Sequence, residues 1–245
     1  MQTVDDVLDL LDTLFGEAAD RWTDRGGADW WDAFYADRDR PIPFFRWAPD
    51  ESLVAWQDAG LLGVGPGTRV LELGSGPGRN AVWFAQQGGV VDALDLSTAA
   101  VAWGRERSAS AGVGGRVTFH RSDIFRWTPP DEPYDVVYDS GCLHHLPPHR
   151  RVSYRALLER TLRPGGRFGL ACFAVGGHDG VTGSAVADTD VYRKRGLGGG
   201  LSYGADDLRR TFGWLTELEL RRMRAAGPDQ PVFGEEFLWA ALFRR

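Results

Sequence analysis

An apolar run passes directly into three alternating glycines in Val70-Leu71-Glu72-Leu73-Gly74-Ser75-Gly76-Pro77-Gly78-Arg79-Asn80. Glycine adopts positive φ readily and lets a ligand approach the main chain closely. The helix predicted over Arg79–Gln87 begins with unpaired N–H groups and a partial positive charge. Because ligands bind at the carboxyl ends of strands in open α/β sheets, this stretch predicts a ligand site at the first strand-to-helix connection.

The next predicted strand, Val90–Leu94, is followed by Asp95, which lies 19 residues after Gly76. A carboxylate at this point can accept hydrogen bonds from both hydroxyls of a ribose, so it predicts a nucleoside cofactor. The glycine spacing differs from the dinucleotide motif G-x-G-x-x-G, because Arg79 stands where the third glycine of that motif falls. The carboxylate of Glu72 suits a sulfonium or ammonium group better than a pyrophosphate. These electrostatics favour S-adenosylmethionine (SAM) over NAD.

Strands and helices alternate along the rest of the chain, which predicts a mostly parallel sheet covered by helices on both faces. Gly227-Pro228-Asp229 predicts a turn, so the last two strands are expected to form an antiparallel hairpin. The predicted strands are Arg69–Leu73, Val90–Leu94, Arg116–His120, Tyr134–Tyr138, Arg167–Phe173, Leu215–Arg222 and Glu235–Arg244. The predicted helices between them are Arg79–Gln87, Thr98–Ala111, Arg150–Leu162 and Ala205–Phe212.

Two segments stand outside this alternation. Residues 1–60 contain three helical patterns, at 2–20, Asp29–Arg38 and Asp50–Ala59, and we expect them to form a helical N-terminal cap or lid. Residues 61–245 are expected to form the SAM-binding core. Within that core, residues 176–204 contain nine glycines and few apolar residues, so they predict a long flexible insertion of the kind that often covers an active site.

Several motifs, taken together over residues 65–175, resemble the class I SAM-dependent methyltransferases. They are Glu72-x-Gly74-x-Gly76-x-Gly78, Asp95, Ser122-Asp123-Ile124-Phe125, Asp135-Val136-Val137-Tyr138-Asp139 and Leu162-Arg163-Pro164-Gly165-Gly166-Arg167-Phe168. The resemblance implies a Rossmann-like α/β fold, with a seven-stranded, mostly parallel sheet whose last strand is antiparallel. It also implies that the glycines pass beneath the cofactor, Asp95 holds its ribose, Asp123 its adenine, and Asp139 its methionyl part. The predicted cofactor-binding residues are Glu72, Gly74, Ser75, Gly76, Gly78, Asn80, Asp95, Leu96, Asp123, Ile124, Asp139 and Ser140.

The acceptor of the methyl group is expected to bind after the fourth predicted strand. His144 and His145 lie there, and a histidine can act as a general base near neutral pH, so both are candidate catalytic residues. An alternative role for them is to support or pack the site. No metal site is predicted, because the spacing of His144, His145 and His149 matches no zinc signature.

The segment before the core contains many aromatic residues, and Phe44, Phe45 and Trp47 are candidate substrate-binding residues that could exclude water from the site. The alternative is that they only pack the cap onto the sheet. Trp31-x-x-x-Tyr35 and the Pro-Phe turn are distantly similar to the thiopurine and tellurite-resistance methyltransferases. This likeness does not decide whether the acceptor atom is sulfur, oxygen, nitrogen or carbon.

Composition narrows the functional class further. The chain has 245 residues, with 28 Lys+Arg against 34 Asp+Glu and a formal net charge of −6, which disfavours nucleic acid as a partner. Its apolar runs are shorter than the ~20 residues of a membrane span, and its acidic start does not read as a signal peptide. Cys142 and Cys172 cannot form a disulfide framework. We therefore expect a cytoplasmic enzyme, a monomer or homodimer, that acts on a small molecule without contact with a membrane.

Two other functions stay open at this point. An RNA or protein methyltransferase could use a basic strip made of Arg150-Arg151, Arg193-Lys194-Arg195 and Arg221-Arg222. However, Asp139-Ser140-Gly141-Cys142 stands where enzymes that methylate bases usually carry an Asn-Pro-Pro-Tyr-like sequence. The other alternative is a protein of the same fold that binds SAM without transferring its methyl group.

Overall fold

The structure, a computed structural model, describes residues 1, 3–15, 21–23, 26–177, 183 and 185–245. The elements below are numbered in chain order. The helices are α1 (Val4–Phe15), α2 (Gly27–Ala36), α3 (Glu51–Asp58), α4 (Arg79–Gln86), α5 (Thr98–Ser110), α6 (Arg150–Thr161), α7 (Asp188–Lys194) and α8 (Ala205–Phe212). The strands are β1 (Arg69–Leu73), β2 (Val90–Asp95), β3 (Val117–Arg121), β4 (Tyr134–Ser140), β5 (Leu162–Phe173), β6 (Thr216–Arg222) and β7 (Leu238–Arg244). Short 3-10 turns cover Pro43–Phe45 and Leu143–His145.

The strands form one seven-stranded sheet in the order β3-β2-β1-β4-β5-β7-β6. The strands from β1 to β5 run parallel, whereas β7 runs antiparallel to both of its neighbours, β5 and β6. The predicted fold class is therefore confirmed. The chain reverses its direction of travel across the sheet between β1 and β4, and such a switch point opens a crevice at the carboxyl ends of the strands.

Helices cover both faces of the sheet because its strands are apolar on both sides. Along β1, Leu71 and Leu73 point to one face and Val70 to the other, as the period of two in a strand requires. Leu157 of α6 and Phe212 of α8 are buried on the first face. Trp56 of α3 and Phe84 of α4 are buried on the second.

The N-terminal helices are tied to the core by polar contacts. On α2, one carboxylate oxygen of Asp32 accepts hydrogen bonds from the Ser97 hydroxyl at 2.6 Å and the Ala99 N–H at 3.0 Å. On α1, Asp12 accepts from the guanidinium of Arg150 and lies 2.6 Å from Nε2 of His149. These contacts hold both helices over the carboxyl ends of the strands. The prediction for 2–20 is met over Val4–Phe15, and 16–20 lie outside the described residues.

The described part of the glycine-rich insertion contains regular structure and buried side chains. Although residues 176–204 are poor in apolar side chains, they include helix α7, and four of the apolar side chains are buried. The main chain is also fixed, since the Leu201 N–H donates to the carbonyl of His144 at 2.7 Å and Tyr203 pairs with Ala174. A few well-placed anchors order this segment where it is described, and residues 178–182 and 184 lie outside that part. The buried anchors are Val191, Leu197, Leu201 and Tyr203.

Candidate functional site

The turn between β1 and α4 requires glycine for two reasons. Gly74 and Gly76 have φ of +62° and +51°, a conformation that other residues rarely adopt. In addition, a Cβ on Gly74 would lie 2.8 Å from the Cβ of Cys142, and one on Gly76 would lie 2.9 Å from the hydroxyl of Tyr35. Gly78 has φ of +75° and packs against Phe119, so it shapes the turn without lining the site. The turn forms a cradle with no side chains of its own at Gly74 and Gly76.

Asp95 lies at the end of β2 and binds this turn directly. One carboxylate oxygen accepts from the Gly76 N–H and the other from the Ser97 N–H, each at 2.8 Å. Burial raises the pKa of the carboxyl to about 6, although these two N–H groups act in the opposite direction. A carboxylate oxygen has two acceptor sites, so each oxygen can still accept a ligand hydroxyl.

Glu72 is buried one residue before the end of β1, with 1% of its surface exposed. Among the described residues, its Oε2 atom has no hydrogen-bond partner. Burial raises the pKa of its carboxyl to about 8, whereas nearby Arg79 and the Asn80 side chain lower it. The guanidinium of Arg79 is 2.6 Å from Asp50, and this ion pair occupies it. Glu72 thus has no ion-pair partner in the part of the chain that the structure describes.

A cavity of about 450 Å³ extends from the glycine turn to a wall of aromatic rings. Trp30 stacks on Phe34 with the ring centroids 5.4 Å apart, and Trp31 meets His145 edge to face at 5.0 Å. The guanidinium of Arg21 lies 4.1 Å from the centre of the Trp30 ring. The predicted residues that line the cavity are Phe44, Glu72, Gly74, Ser75, Gly76, Asn80, Asp95, Leu96, Ile124, Ser140, His144 and His145.

The two candidate histidines lie side by side, but their surroundings differ. The ring of His144 stacks on Phe173 at 3.8 Å, and its Nδ1 accepts from the Phe173 N–H at 3.3 Å. Burial lowers the pKa of His144 well below 6.5. For His145, burial and the charge of Arg21 lower the pKa to about 3, and its buried Nδ1 has no partner among the described residues. Both rings are therefore uncharged at neutral pH and are weak bases.

Two predicted acids do not line the cavity. Asp139 is fully buried and accepts from the N–H groups of Cys142 and Leu143 and from the Tyr154 hydroxyl, at 2.8, 3.0 and 2.6 Å. Its burial raises its pKa to about 6. Asp123 accepts from the Phe125 N–H at 2.8 Å. In this structure Asp139 shapes the turn that carries the histidines, while Asp123 holds the loop that presents Ile124 to the cavity.

The three aromatic residues that were predicted to bind the acceptor lie in different surroundings. Phe44 lines the cavity, whereas Phe45 and Trp47 do not, and the role of all three in binding the acceptor stays a prediction. Phe45 is buried behind the wall, because it stacks on Tyr35 at 5.6 Å and meets Trp103 at 5.3 Å. Trp47 is half exposed, with the guanidinium of Arg107 5.4 Å from its ring.

The sequence did not single out several residues that line the cavity. Phe233 and Phe237 come from the segment just before β7, far along the chain from the glycine turn, and no local motif marks them. Arg21 precedes the aromatic segment and has no motif around it. The aromatic residues Trp30, Trp31, Phe34 and Tyr35 were visible as a cluster, but their convergence on one wall depends on how α2 docks on α5.

The described residues fit the cofactor that the resemblance implies. A side chain at Gly74 or Gly76 would collide with Cys142 or Tyr35 at the cavity, so these positions keep the main chain bare there. Glu72 lines the same cavity, and its buried Oε2 has no hydrogen-bond partner among the described residues. Together with Asp95, they suit a ligand that brings hydroxyls and a positive charge. Within the described chain, no three His, Cys, Asp or Glu side chains are grouped to hold a metal ion, and no helix is long and apolar enough to cross a bilayer.

Comparison of the sequence with known proteins finds methyltransferases. Residues 70–166 match a family described as a methyltransferase domain. The 27-O-demethylrifamycin SV methyltransferase of Amycolatopsis mediterranei (strain S699) is 34% identical over 144 residues, which cover 58% of this chain and 50% of that protein. The chain spans about half the length, or less, of the first curated relatives it matches.

Two solved structures share the fold of this chain over most of its length. A structure described under the conversion of a disulfide bond into a thioacetal group during echinomycin biosynthesis is 25% identical, with a TM-score of 0.65, and the match covers 89% of this chain and 91% of that one. The 1,6-didemethyltoxoflavin-N1-methyltransferase of Burkholderia thailandensis is 21% identical, with a TM-score of 0.59 and coverage of 89% and 85%. This second likeness extends the agreement in fold.

Proposed function

We propose that this chain, which belongs to the class I SAM-dependent methyltransferases, transfers the methyl group of SAM to a small acceptor with an apolar, aromatic body. The observation that carries the proposal is one continuous cavity, which has the glycine turn and Asp95 at one end and a wall of aromatic rings at the other. When bound, SAM supplies a methyl group on a positively charged sulfur. The chain has to bind it, align the acceptor with it and keep water away.

The cofactor is proposed to lie against the glycine turn. There Asp95 would accept from the ribose hydroxyls, while Glu72 would face the positive charge. Ser75, Asn80 and Ser140 offer further polar groups around the same part of the cavity. Asp123 and Asp139 would act by holding the Ile124 loop and the turn after β4, since both carboxylates accept from backbone N–H groups nearby.

The acceptor is proposed to lie against the aromatic wall, which includes Trp30, Trp31, Phe34 and Phe44. A volume of about 450 Å³ is within the range of small-molecule sites. The flat rings favour a flat or apolar acceptor body, because aromatic groups pack on one another with specific geometry. This enclosed shape supports a small molecule over an RNA or protein acceptor.

The low pKa values of the two histidines bear on which kinds of acceptor atom this site can methylate. A general base works best when its pKa lies near the operating pH, and the pKa of His145 is about 3. We therefore infer that the acceptor needs little help with proton removal, as for a thiolate, another soft nucleophile or a group that is already anionic. The relatives do not decide the atom, since one is named for an oxygen and one structure is described for sulfur chemistry.

Three further parts of the proposal concern the whole protein. We propose that residues 1–60 act as a cap over the acceptor end of the cavity, because Trp30, Trp31 and Phe44 come from this segment. The net charge of −6 supports a partner other than nucleic acid. We propose a cytoplasmic enzyme that works as a monomer or a homodimer.

The proposal is tested with purified protein and SAM carrying a labelled methyl group. The label is followed into panels of thiols, phenols, amines, carboxylates and acidic carbon compounds, each with an aromatic and an aliphatic member. We expect transfer to aromatic members of one chemical class. Binding of SAM without transfer to any member, under conditions in which the protein is folded, would favour a non-methylating SAM-binding protein.

A further inference from the structure

Glu72 combines three features that a merely structural carboxylate would not need. It is almost fully buried, it lines the cavity, and its Oε2 atom is without a hydrogen-bond partner among the described residues. An unpaired buried acceptor costs free energy, and an unpaired buried charge costs far more. The Asn80 side chain and the Ala81 N–H favour the charged form of this carboxyl, but burial outweighs them, so the carboxyl keeps its proton unless a cation binds beside it.

The groups around Glu72 do not supply that cation. In the described part of the chain, no arginine or lysine nitrogen lies within ion-pair distance of its carboxylate. Arg79 is near enough to act on it electrostatically, but its guanidinium binds Asp50 at 2.6 Å and the carbonyl of Ala48 at 3.2 Å. The ionisable and polar groups that face Glu72 or its end of the cavity are Asp50 before α3, Arg79 and Asn80 on α4, Tyr138 on β4, Asp95 on β2 and Tyr35 on α2.

The carboxylate of Asp50 already has partners of its own. It accepts from the Tyr138 hydroxyl at 2.5 Å and from the Asn80 side chain at 3.1 Å, in addition to its contact with Arg79. Asp50 and Arg79 thus neutralise each other, and ionisation of Glu72 would add one negative charge without an ion-pair partner among the described residues, in a cavity that Asp95 also lines. A ligand with one positive charge would compensate the negative charge of ionised Glu72.

We propose that Glu72 holds a proton in the free chain, releases it to solvent when SAM binds, and takes it up again when the demethylated product is in the site. This proposal rests on the proposed function. SAM and S-adenosylhomocysteine share the ammonium, the carboxylate and the ribose, and they differ by one methyl group and one positive charge on sulfur. Glu72 would therefore distinguish cofactor from product by charge, with one O–H bond broken or formed on each exchange.

The pH dependence follows from this exchange. Burial raises the pKa of Glu72 to about 8, so the free chain keeps the proton at neutral pH, and SAM must expel it. The affinity for SAM relative to S-adenosylhomocysteine should rise about tenfold per pH unit between pH 6 and 8, because one proton separates the two complexes. Asp95 and Tyr35 face both ligands in the same way, so their titration cancels in this ratio.

Isothermal titration calorimetry measures the exchange directly. Titrations at pH 7 in buffers with different ionisation enthalpies give the number of protons released per ligand bound. We expect about one proton for SAM and close to none for S-adenosylhomocysteine. A SAM analogue with an ammonium group in place of the sulfonium should behave like SAM. In Glu72→Gln the difference between the ligands should vanish, whereas it should persist in Glu132→Gln, which changes an exposed glutamate.

The outcomes separate this inference from the proposed function. If neither SAM nor S-adenosylhomocysteine binds to the folded wild-type protein, the proposed function fails. If both bind with equal proton release, the role of Glu72 is refuted while the proposed function stands. Persistence of the difference in Glu72→Gln would also refute it. The comparison of the two ligands on the wild-type chain needs no variant, so a misfolded variant would not leave the inference undecided.

Discussion

Asp95 performs two tasks with one carboxylate, which makes its position unusually restrictive. It fixes the glycine turn by accepting from the N–H of Gly76, and it holds the N-cap residue of α5 by accepting from the N–H of Ser97. The remaining acceptor sites are free for a ligand. The sequence predicts a ribose-binding role from the position of Asp95 alone, but the bond to Gly76 emerges only when β1 and β2 lie side by side in the sheet.

Asp95→Asn tests both tasks together. The amide can accept at one atom but places an NH2 group against the second backbone N–H. We expect SAM affinity to fall about 100-fold or more, because charged hydrogen bonds to both ribose hydroxyls are weakened. The melting temperature should also fall. Calorimetry and thermal unfolding measure the two effects, with Asp206→Asn, an exposed aspartate, as the control. Unchanged SAM affinity would contradict the ribose assignment.

His145→Phe tests whether the acceptor needs a general base. The substitution keeps a ring against Trp31 and removes a buried Nδ1 that has no partner among the described residues. We expect kcat to change by less than about fivefold, whereas loss of a working general base costs about 10²–10⁴-fold. A loss in that larger range, measured at saturating SAM, would restore His145 as the base.

His144→Phe is the informative comparison for stability. Its Nδ1 accepts from the Phe173 N–H, and the substitution would leave that buried donor unpaired. We expect His144→Phe to lower the free energy of unfolding by about 1–3 kcal/mol, and His145→Phe to lower it less. Chemical denaturation of both variants checks this order. An equal loss in the two variants would contradict the structural role of the His144 Nδ1.

At the scale of elements, the strand-and-helix order was predictable because each element carries its own period of apolar residues. The predicted and observed ends of β1 coincide, and those of α4 differ by one residue. The insertion at residues 176–204 was less predictable. The order of its described part depends on Leu201 and Tyr203, which bond to the main chain of His144 and Phe173 in distant elements. A local pattern contains no information about such contacts.

The insertion also supports the His144–Phe173 stack, which gives a test at this scale. A Cβ on Gly200 would lie 2.9 Å from the Phe173 ring and 3.2 Å from that of His144, whereas one on Gly199 would meet nothing within 4 Å. Both glycines have positive φ, at +146° and +92°, so alanine strains the backbone at either position. A loss of activity in Gly200→Ala beyond the loss in Gly199→Ala therefore comes from the contact with the two rings.

We therefore expect Gly200→Ala to lower kcat/KM for the acceptor about tenfold more than Gly199→Ala does, because moving the ring stack reshapes the acceptor end of the cavity. SAM affinity should stay within about threefold in both variants, since the cofactor is proposed to lie against the glycine turn. Steady-state kinetics with the identified acceptor and calorimetry with SAM measure the two effects. Equal kcat/KM in the two variants would show that the insertion does not shape the acceptor site.

For the whole molecule, the sheet order explains how distant residues reach one cavity. β1 and β4 are neighbours, so Glu72 and Ser140 both line the cavity at the switch point, and the segment before β7 adds Phe233 and Phe237 to the same lining. The sequence could predict the cofactor half of the site, because its glycines and acids follow strands in a fixed order. It could not predict which aromatics form the wall, because this depends on how residues from both ends of the chain dock on the sheet.

Buried acids at this crevice also affect the stability of the entire fold, and pH separates their contributions. Burial raises the pKa values of Asp95 and Asp139 to about 6, so these two acids make the free energy of unfolding depend on pH mainly below pH 7. The pKa values of His144 and His145 are lowered in the folded chain. These histidines therefore affect the free energy of unfolding below a pH of about 6.5, where the unfolded chain takes up protons. Burial raises the pKa values of Cys142 and Cys172 above the ordinary thiol value of 9.

Among the described residues, Glu72 is then the group whose pKa shift spans pH 7 to 8. Its pKa is about 8 in the folded chain against 4.5 ordinarily, so the folded state binds more protons than the unfolded state, and stability is lost as pH rises through this interval. We expect the free energy of unfolding, measured by chemical denaturation without SAM, to fall by about 1 kcal/mol from pH 7 to pH 8. Glu72→Gln should remove this loss, because glutamine does not titrate, and Glu132→Gln should retain it. If wild type and Glu72→Gln lose stability equally over this interval, the proton is not held at Glu72.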